Sequence, residues 1–179
     1  LTTRRAWSLV ALLSCTATAS YLARVNVSVA GALMRTEFGI SPEVMGRIFS
    51  AFVLGYALAQ VPAGLLADRF GARRVLACAA LGWALCTAIM PLAPAGAAIA
   101  VLLAARFLLG LAEAPTFPAA AQAISTWIPT AAQGRANGFV IAAIGLGSAI
   151  APPLISAVML RTGWRVALLV SVIPALLVA

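Results

Sequence analysis

The sequence predicts an all-α membrane protein, a bundle of six transmembrane helices. Hydrophobic residues make up 64% of the 179 and charged ones 9%, with a mean hydropathy of +1.08. A soluble domain of this length needs more polar surface, and a disordered chain is never so apolar. The apolar residues also fall into six runs of about 20, the length a helix needs to cross about 30 Å of hydrocarbon.

The charge balance narrows the function classes. The net charge of +8 comes from twelve arginines and no lysine. They are scattered over helix ends and interiors, with no basic face or aromatic platform, so no nucleic-acid partner is expected. Cys15, Cys78 and Cys86 sit inside apolar runs and read as small core residues, not as disulfides or metal ligands. Histidine is absent, which removes the commonest proton relay and metal ligand together. No cofactor, metal or enzymatic chemistry is expected. The chain opens on Leu1 and stops inside an apolar run, so it reads as part of a longer protein.

Arg4 and Arg5 precede the first run, Trp7 to Met34. It is too long for a signal peptide and carries Arg24, so no cleavage is expected. A polar connection from Arg35 to Pro42 holds Glu37 and the helix start Ser41-Pro42. The second run spans Glu43 to Leu66 and the third Val75 to Leu92, followed by a turn at Pro91, Pro94 and Gly96. The fourth runs from Ala97 to Ile128 and ends at Pro129. The fifth covers Arg135 to Leu160, and Thr162-Gly163 turns into the sixth at Trp164. With the N-terminus in the cytoplasm, Arg4, Arg5, Arg69, Arg73, Arg74 and Arg135 lie inside, and Arg35, Arg47, Arg161 and Arg165 outside. That is the expected bias.

The fourth run carries the chemistry. Arg106-Phe-Leu-Leu-Gly-Leu-Ala-Glu113 puts an arginine and a glutamate in a span, and seven positions at ~100° and ~1.5 Å each return Glu113 to within about 20° of Arg106 and ~10 Å along the axis. Gly110 lies on the same stripe. Each mid-membrane charge costs ~2.5–3.5 kcal/mol, so both must face protein or a watered cavity. A charge pair that only ties helices together would meet that need; a site for an anion and a proton meets it too. On the first helix Ser14, Thr18, Tyr21, Arg24 and Ser28 form a polar stripe. Interhelical hydrogen bonding accounts for hydroxyls, but not for Arg24, whose planar fork suits a carboxylate. The second helix has Phe49, Phe52, Tyr56 and Gln60 on one face. The two phenylalanines read equally as packing or cavity wall; Tyr56 and Gln60 line the cavity, because a phenol and an amide inside a membrane need partners.

Two resemblances follow. Gly64, Asp68, Arg69, Gly71 and Arg73 lie between the second and third runs. Their spacing resembles the cytoplasmic loop signature of the major facilitator superfamily. That implies twelve helices in two halves of six, each half built of 3+3 inverted repeats. Residues 1–179 would form the N-terminal half, its partner being the C-terminal six-helix half of the same chain. Asp68 can then pair with Arg69 or Arg73 and face a helix N-terminus of the other half, as a conformational latch.

The stretches Y-L-A-R-V-N-V-S-V-A (Tyr21 to Ala30) and G-L-A-E-A-P-T-F-P, with Trp127-Ile128-Pro129, are similar to the anion:cation symporter family. Its members carry sugar acids, hexuronates, aromatic acids, sialic acid or glutamate, many with protons. The resemblance implies that Arg24 binds the substrate carboxylate with Tyr21, Tyr56 and Gln60 nearby. Arg106 and Glu113 match a buried pair whose glutamate is protonated. Arg106 belongs with the substrate residues and Glu113 is the proton-coupling group. Two departures stand out. Ala23 replaces an aspartate found in several bacterial sugar-acid carriers, which puts their stoichiometry in doubt, and Ala132-Gln133 replace a Glu-Arg pair.

The expected protein is a proton-coupled importer of a small organic anion in the bacterial inner membrane. The alternatives are a drug/proton antiporter and a non-transporting receptor or scaffold. Gly138, Gly147 and Pro152 resemble part of the antiporter signature, but Ala151 and Ile155-Ser156 depart from it. Pro152-Pro153 should kink the fifth helix.

Overall fold

The computed structural model describes residues 3–179, and these form helices joined by short turns, with no strand among them. α1 spans Thr3–Phe38, α2 Pro42–Phe70 and α3 Ala72–Ile89. Two 3-10 turns, Met90–Leu92 and Ala95–Ala97, lead into α4 (Ala98–Glu113) and α5 (Thr116–Trp127). α6 spans Thr130–Thr162, α7 Trp164–Val170 and α8 Ile173–Val178. Five segments are long and apolar enough to cross a membrane, counting α4 with α5 as one; Trp164–Val178 is a shorter apolar helix.

The helix ends follow local chemistry. Ser41 caps α2 by accepting the Val44 N–H at 3.3 Å, with Pro42 in the first turn. Gly39, Gly71 and Gly163 close α1, α2 and α6 at positive φ (64°, 80° and 83°), where a Cβ is strained. The expected loop from Gly64 to Arg74 is therefore almost wholly helical. Asp68 and Arg69 stand in the last turn of α2 and Arg73 in the first of α3, with Gly71 the break between them. The fourth run is also corrected. It is two helices, because Pro115 has no N–H to continue α4. The sixth is likewise interrupted, at Ser171-Val172. α6 stays one helix through Pro152 and Pro153.

The two most extensive helix contacts are α1 with α6 and α2 with α4. In each, the leading helix of one triplet meets the middle helix of the other, as the 3+3 arrangement requires. Both crossings run over glycine. A Cβ on Gly55 would overlap the Phe107 carbonyl oxygen, and one on Gly110 the Phe52 carbonyl oxygen. On α6, a Cβ at Gly147 would lie 3.0 Å from the Thr18 carbonyl oxygen, and Thr18 donates to the Ala143 carbonyl at 3.1 Å. Small residues let backbones touch where lipid supplies no hydrophobic drive.

Alanines dominate the core. One cluster around Met34, Ile48, Trp83 and Met90 takes Ala19 to Met34 of α1; a second takes Ala6 to Ala17 with α5, the start of α6 and the α2–α3 turn. Cys86 is buried, but Cys15 and Cys78 are exposed, correcting the expectation that all three are core. Cys15 shares its outward face of α1 with exposed Leu12, and Cys78 that of α3 with exposed Leu81 and Leu85. At the Ser41 end, Glu37 pairs with Arg165 at 2.6 Å and accepts from the Trp164 indole at 2.7 Å. Arg165 also donates to the Pro91 carbonyl at 3.2 Å. This staple ties α1, α7 and the 3-10 turn, and as a half-exposed pair it contributes about 0–1 kcal/mol.

Gly55→Val should abolish the backbone contact of α2 with α4 and lower the melting temperature in detergent by about 10 °C, on the order of 3 kcal/mol of overpacking. Gly134→Ala, whose Cβ meets open space, should leave it unchanged. An unchanged melting curve for Gly55→Val would mean that the crossing does not hold the bundle.

Candidate functional site

The Gly55–Gly110 crossing places the aromatic face of α2 over the charged stripe of α4, and Arg24 of α1 enters between them. Glu113 is wholly buried, at 0% exposure. Its Oε1 accepts from Arg24 Nε at 3.2 Å, and Arg24 Nη2 lies 3.2 Å from the same oxygen. Arg24 Nη1 donates to the Tyr21 hydroxyl at 3.3 Å. The guanidinium carbon sits 4.7 Å from the centre of the Tyr21 ring and 4.9 Å from both the Phe52 and Tyr56 rings. Three rings around one partly buried cation contribute on the order of 1 kcal/mol by cation–π attraction.

Arg106 is buried as well, and it does not pair with Glu113. It donates from Nη1 to the backbone carbonyl of Arg24 at 3.4 Å and lies 4.8 Å from the Phe52 ring. Phe52 thus touches both guanidiniums and stacks on Tyr56 with centroids 6.0 Å apart. The stripe predicted Arg106 and Glu113 as partners because they share a helix face, but a ~10 Å rise between them leaves Arg24 the nearer cation.

Hydrogen-bonding capacity is left over at this centre. Arg24 Nη2, Arg106 Nε, Glu113 Oε2 and, further along α2, Gln60 Oε1 are buried without hydrogen-bond partners. The ion contact with Glu113 satisfies Arg24 Nη2 in charge; the other three, at about 1–3 kcal/mol for an unmet buried polar atom, mark a place to be completed by a ligand, a proton or water.

The end of α4 is fixed from below. The Trp83 indole donates to the Ala112 carbonyl at 3.2 Å and the Thr116 hydroxyl to the Glu113 carbonyl at 2.7 Å. These side chains supply donors where Pro115 interrupts the ladder. Gly82 seats α3 against Ala112, where its Cβ would lie 2.8 Å from that of Ala112. Phe52, Trp83 and Thr116 were not singled out as site residues by the sequence; Trp83, an indole in mid-span that must find an acceptor, was the available signal.

Tyr21, Arg24, Tyr56, Arg106 and Glu113 thus converge, with Gln60 one turn from Tyr56. The latch residues do not join them. Asp68 lies twelve residues beyond Tyr56, ~18 Å along α2. Among the described residues Asp68 forms no ion pair, correcting the expected contact with Arg69 or Arg73: its side chain is exposed, and Arg69 turns to the Phe70 ring at 5.3 Å. Arg73 is exposed and Gly64 half-buried.

Residues 13–179 match the Major Facilitator Superfamily. The chain belongs to that family. It is a multi-pass membrane protein of a transporter family, not an enzyme. A probable sulfoacetate transporter, SauU of Cupriavidus necator, is 38% identical over 151 residues, covering 84% of this chain and 34% of the relative. A probable galactarate/D-glucarate transporter, GudP of Bacillus subtilis, is 32% identical over 176 residues, covering 97% of this chain and 39% of the relative. The chain thus spans little more than a third of these relatives. Among solved structures, a bacterial homolog of the human lysosomal transporter Spinster, inward-facing and unoccupied, superposes with a TM-score of 0.88 at 20% identity, over 99% of this chain and 42% of that one. The proton:xylose symporter XylE superposes at 0.87 and 16% identity, over 99% and 44%. These place the described residues as about half of such a fold, in agreement with the 3+3 reading. The antiporter-like Gly147 is accounted for by its seat on the α1 backbone.

Trp83→Phe keeps the ring and removes the donor, leaving the Ala112 carbonyl unmet. A loss of about 1–2 kcal/mol, or roughly 3–8 °C in melting temperature, is expected from a thermal scan in detergent. No shift would show that water replaces the indole and that the seat under Glu113 does not depend on it.

Proposed function

We propose that the full protein is a secondary transporter that imports an organic anion together with a proton, with residues 1–179 as its N-terminal half and a C-terminal six-helix half facing them. The observation that carries this reading is the partner of Glu113. The cation that pairs with this buried carboxylate among the described residues is Arg24, whose planar fork suits a substrate carboxylate.

Glu113 occupies the Nε–Nη2 edge of the Arg24 guanidinium. An incoming carboxylate takes the same edge with charge-assisted, bidentate bonds. Tyr21 and Tyr56 flank it, and Gln60 offers its amide. A displaced carboxylate with no partner is not tolerated in apolar surroundings, so Glu113 takes up a proton. Anion and proton then each strengthen the binding of the other, by the same factor. Release of the proton lets Glu113 return to Arg24 and expel the anion.

Charge counting suggests the substrate class. With Glu113 neutral, Arg24 and Arg106 leave two positive charges, which an acid with two anionic groups balances. Sulfoacetate and galactarate, the acids in the relatives' names, each have two. A neutralised cavity crosses more readily than a charged one, which couples the anion to the proton. The N-terminus is taken as cytoplasmic and the membrane as the bacterial inner membrane, following the arginine bias.

The latch role of Gly64, Asp68, Arg69, Gly71 and Arg73 belongs to the same proposal, with Asp68 meeting the other half. Asp68→Asn should slow maximal uptake about tenfold and leave KM within about twofold, because it acts on the conformational equilibrium. Equal accessibility of labelled cysteines in mutant and parent would remove the latch.

Glu113→Gln imitates the protonated form. Exchange of labelled for unlabelled acid across proteoliposomes should survive near the parent rate, while accumulation driven by a pH gradient should fail. A tie that only holds the bundle would lose both activities along with stability. Continued pH-driven accumulation by the mutant would exclude Glu113 as the proton site.

A further inference from the structure

The face of α1 that carries Arg24 does not end there. Ser28, Gly31 and Arg35 follow at four, seven and eleven positions, all within about 40° of Arg24, and Arg35 stands ~16 Å further along the axis. Together with Met45, Gly46 and Phe49 of α2 they line a cavity of about 340 Å³ at the Ser41 end of the bundle. Phe49 is one turn from Phe52, so the wall of this cavity runs on into the rings around Arg24.

Glycine keeps the cavity open. A Cβ at Gly46 would meet nothing within 4 Å, and one at Gly31 would reach only the Phe49 and Met45 side chains, at 3.4 and 4.0 Å. Arg35 is fixed but unspent: its Nε donates to the Ile40 carbonyl at 3.3 Å. Among the described residues no hydrogen bond or ion pair takes its two terminal nitrogens. Glu37 is held by Arg165, and Glu43, in the first turn of α2, does not pair with Arg35. The Ser28 hydroxyl is exposed into the same space.

We propose that Arg35, Ser28 and the Gly31–Gly46 gap form a second, shallower anion site, where a carboxylate is captured before it moves to Arg24. This rests on the reading of the full protein as an organic-anion carrier. The site differs from the deeper one in kind: Glu43 lies near Arg35 but does not pair with it, and no buried carboxylate occupies its guanidinium, so capture there does not require a proton to displace an acid. Arg35 stays solvated, which makes the capture weak, fast and sensitive to salt.

The test uses the full-length protein in proteoliposomes with radiolabelled galactarate and sulfoacetate. Arg35→Gln should raise KM about fivefold, the worth of one solvated charge contact at ~4 Å, with maximal rate within about twofold and a flatter dependence on ionic strength. Arg35→Lys should keep both close to the parent. Gly46→Phe, which projects a ring into the cavity, should raise KM in the same way, while Gly46→Ala should not. A purely structural Arg35, acting on the end of α1, would lower the melting temperature and leave KM and salt dependence alone. If the parent carries either acid and Arg35→Gln and Gly46→Phe match its KM and salt dependence, the second site is overturned and the carrier reading stands. A parent that carries no organic acid overturns the carrier reading, and this site with it.

Discussion

A carboxylate with no exposed surface, in a chain that faces hydrocarbon on most sides, sets the terms for everything around it. Charges at mid-membrane cost about 2.5–3.5 kcal/mol each on insertion scales, and Glu113, Arg24 and Arg106 lie within one cluster. The cost is offset by bringing them together: an ion contact at 3.2 Å, a carbonyl for Arg106, and aromatic faces for both guanidiniums. That requires three helices to meet at one level. Gly55 and Gly110 let α2 and α4 touch, Gly147 does the same for α6 and α1, and Trp83 with Thr116 holds the carbonyls at the end of α4.

The repeat explains why the charges converge. α1 and α4 are the leading helices of the two triplets, and each packs on the middle helix of the other triplet over a glycine. Arg24 on α1 and Arg106 and Glu113 on α4 are thus carried to one place by two copies of one packing device. The remaining elements complete the core. α3 bears Trp83 behind the site, and α7 and α8 close the far side through the buried Asn26–Ser171 hydrogen bond of 2.8 Å.

Much of this was legible from residue spacing. Period and length gave the spans, and the cost of membrane charge singled out Arg24, Arg106 and Glu113 before any contact was known. The partner of Glu113 was not legible. Helical spacing relates residues on one helix, and the ion pair joins residues 89 apart on two. The break at Pro115 was hidden because Ala-Pro-Thr is apolar enough to continue a run, and hydropathy does not count backbone donors. The α2–α3 connection read as a loop from its charges, yet only Gly71 leaves the helix. Phe52 was undecided from sequence because an aromatic at helical spacing packs equally well on Leu or on a guanidinium. Its neighbours decide it.

The division of labour between packing and charge bears on how such a site can work. Desolvation of a buried ion pair roughly cancels its attraction, so the Arg24–Glu113 contact adds little net stability to the bundle. The rigidity comes instead from glycine crossings and an alanine-rich core, which do not change with protonation. Charges near break-even on a rigid frame can exchange partners at small cost, and a competing carboxylate or a proton suffices to tip them. A bundle held together by the ion pair itself would loosen each time the pair opened. In the proposed carrier the pair opens while the glycine crossings of α1, α2, α4 and α6 hold, and the energy of binding is left to shift the two proposed halves against each other.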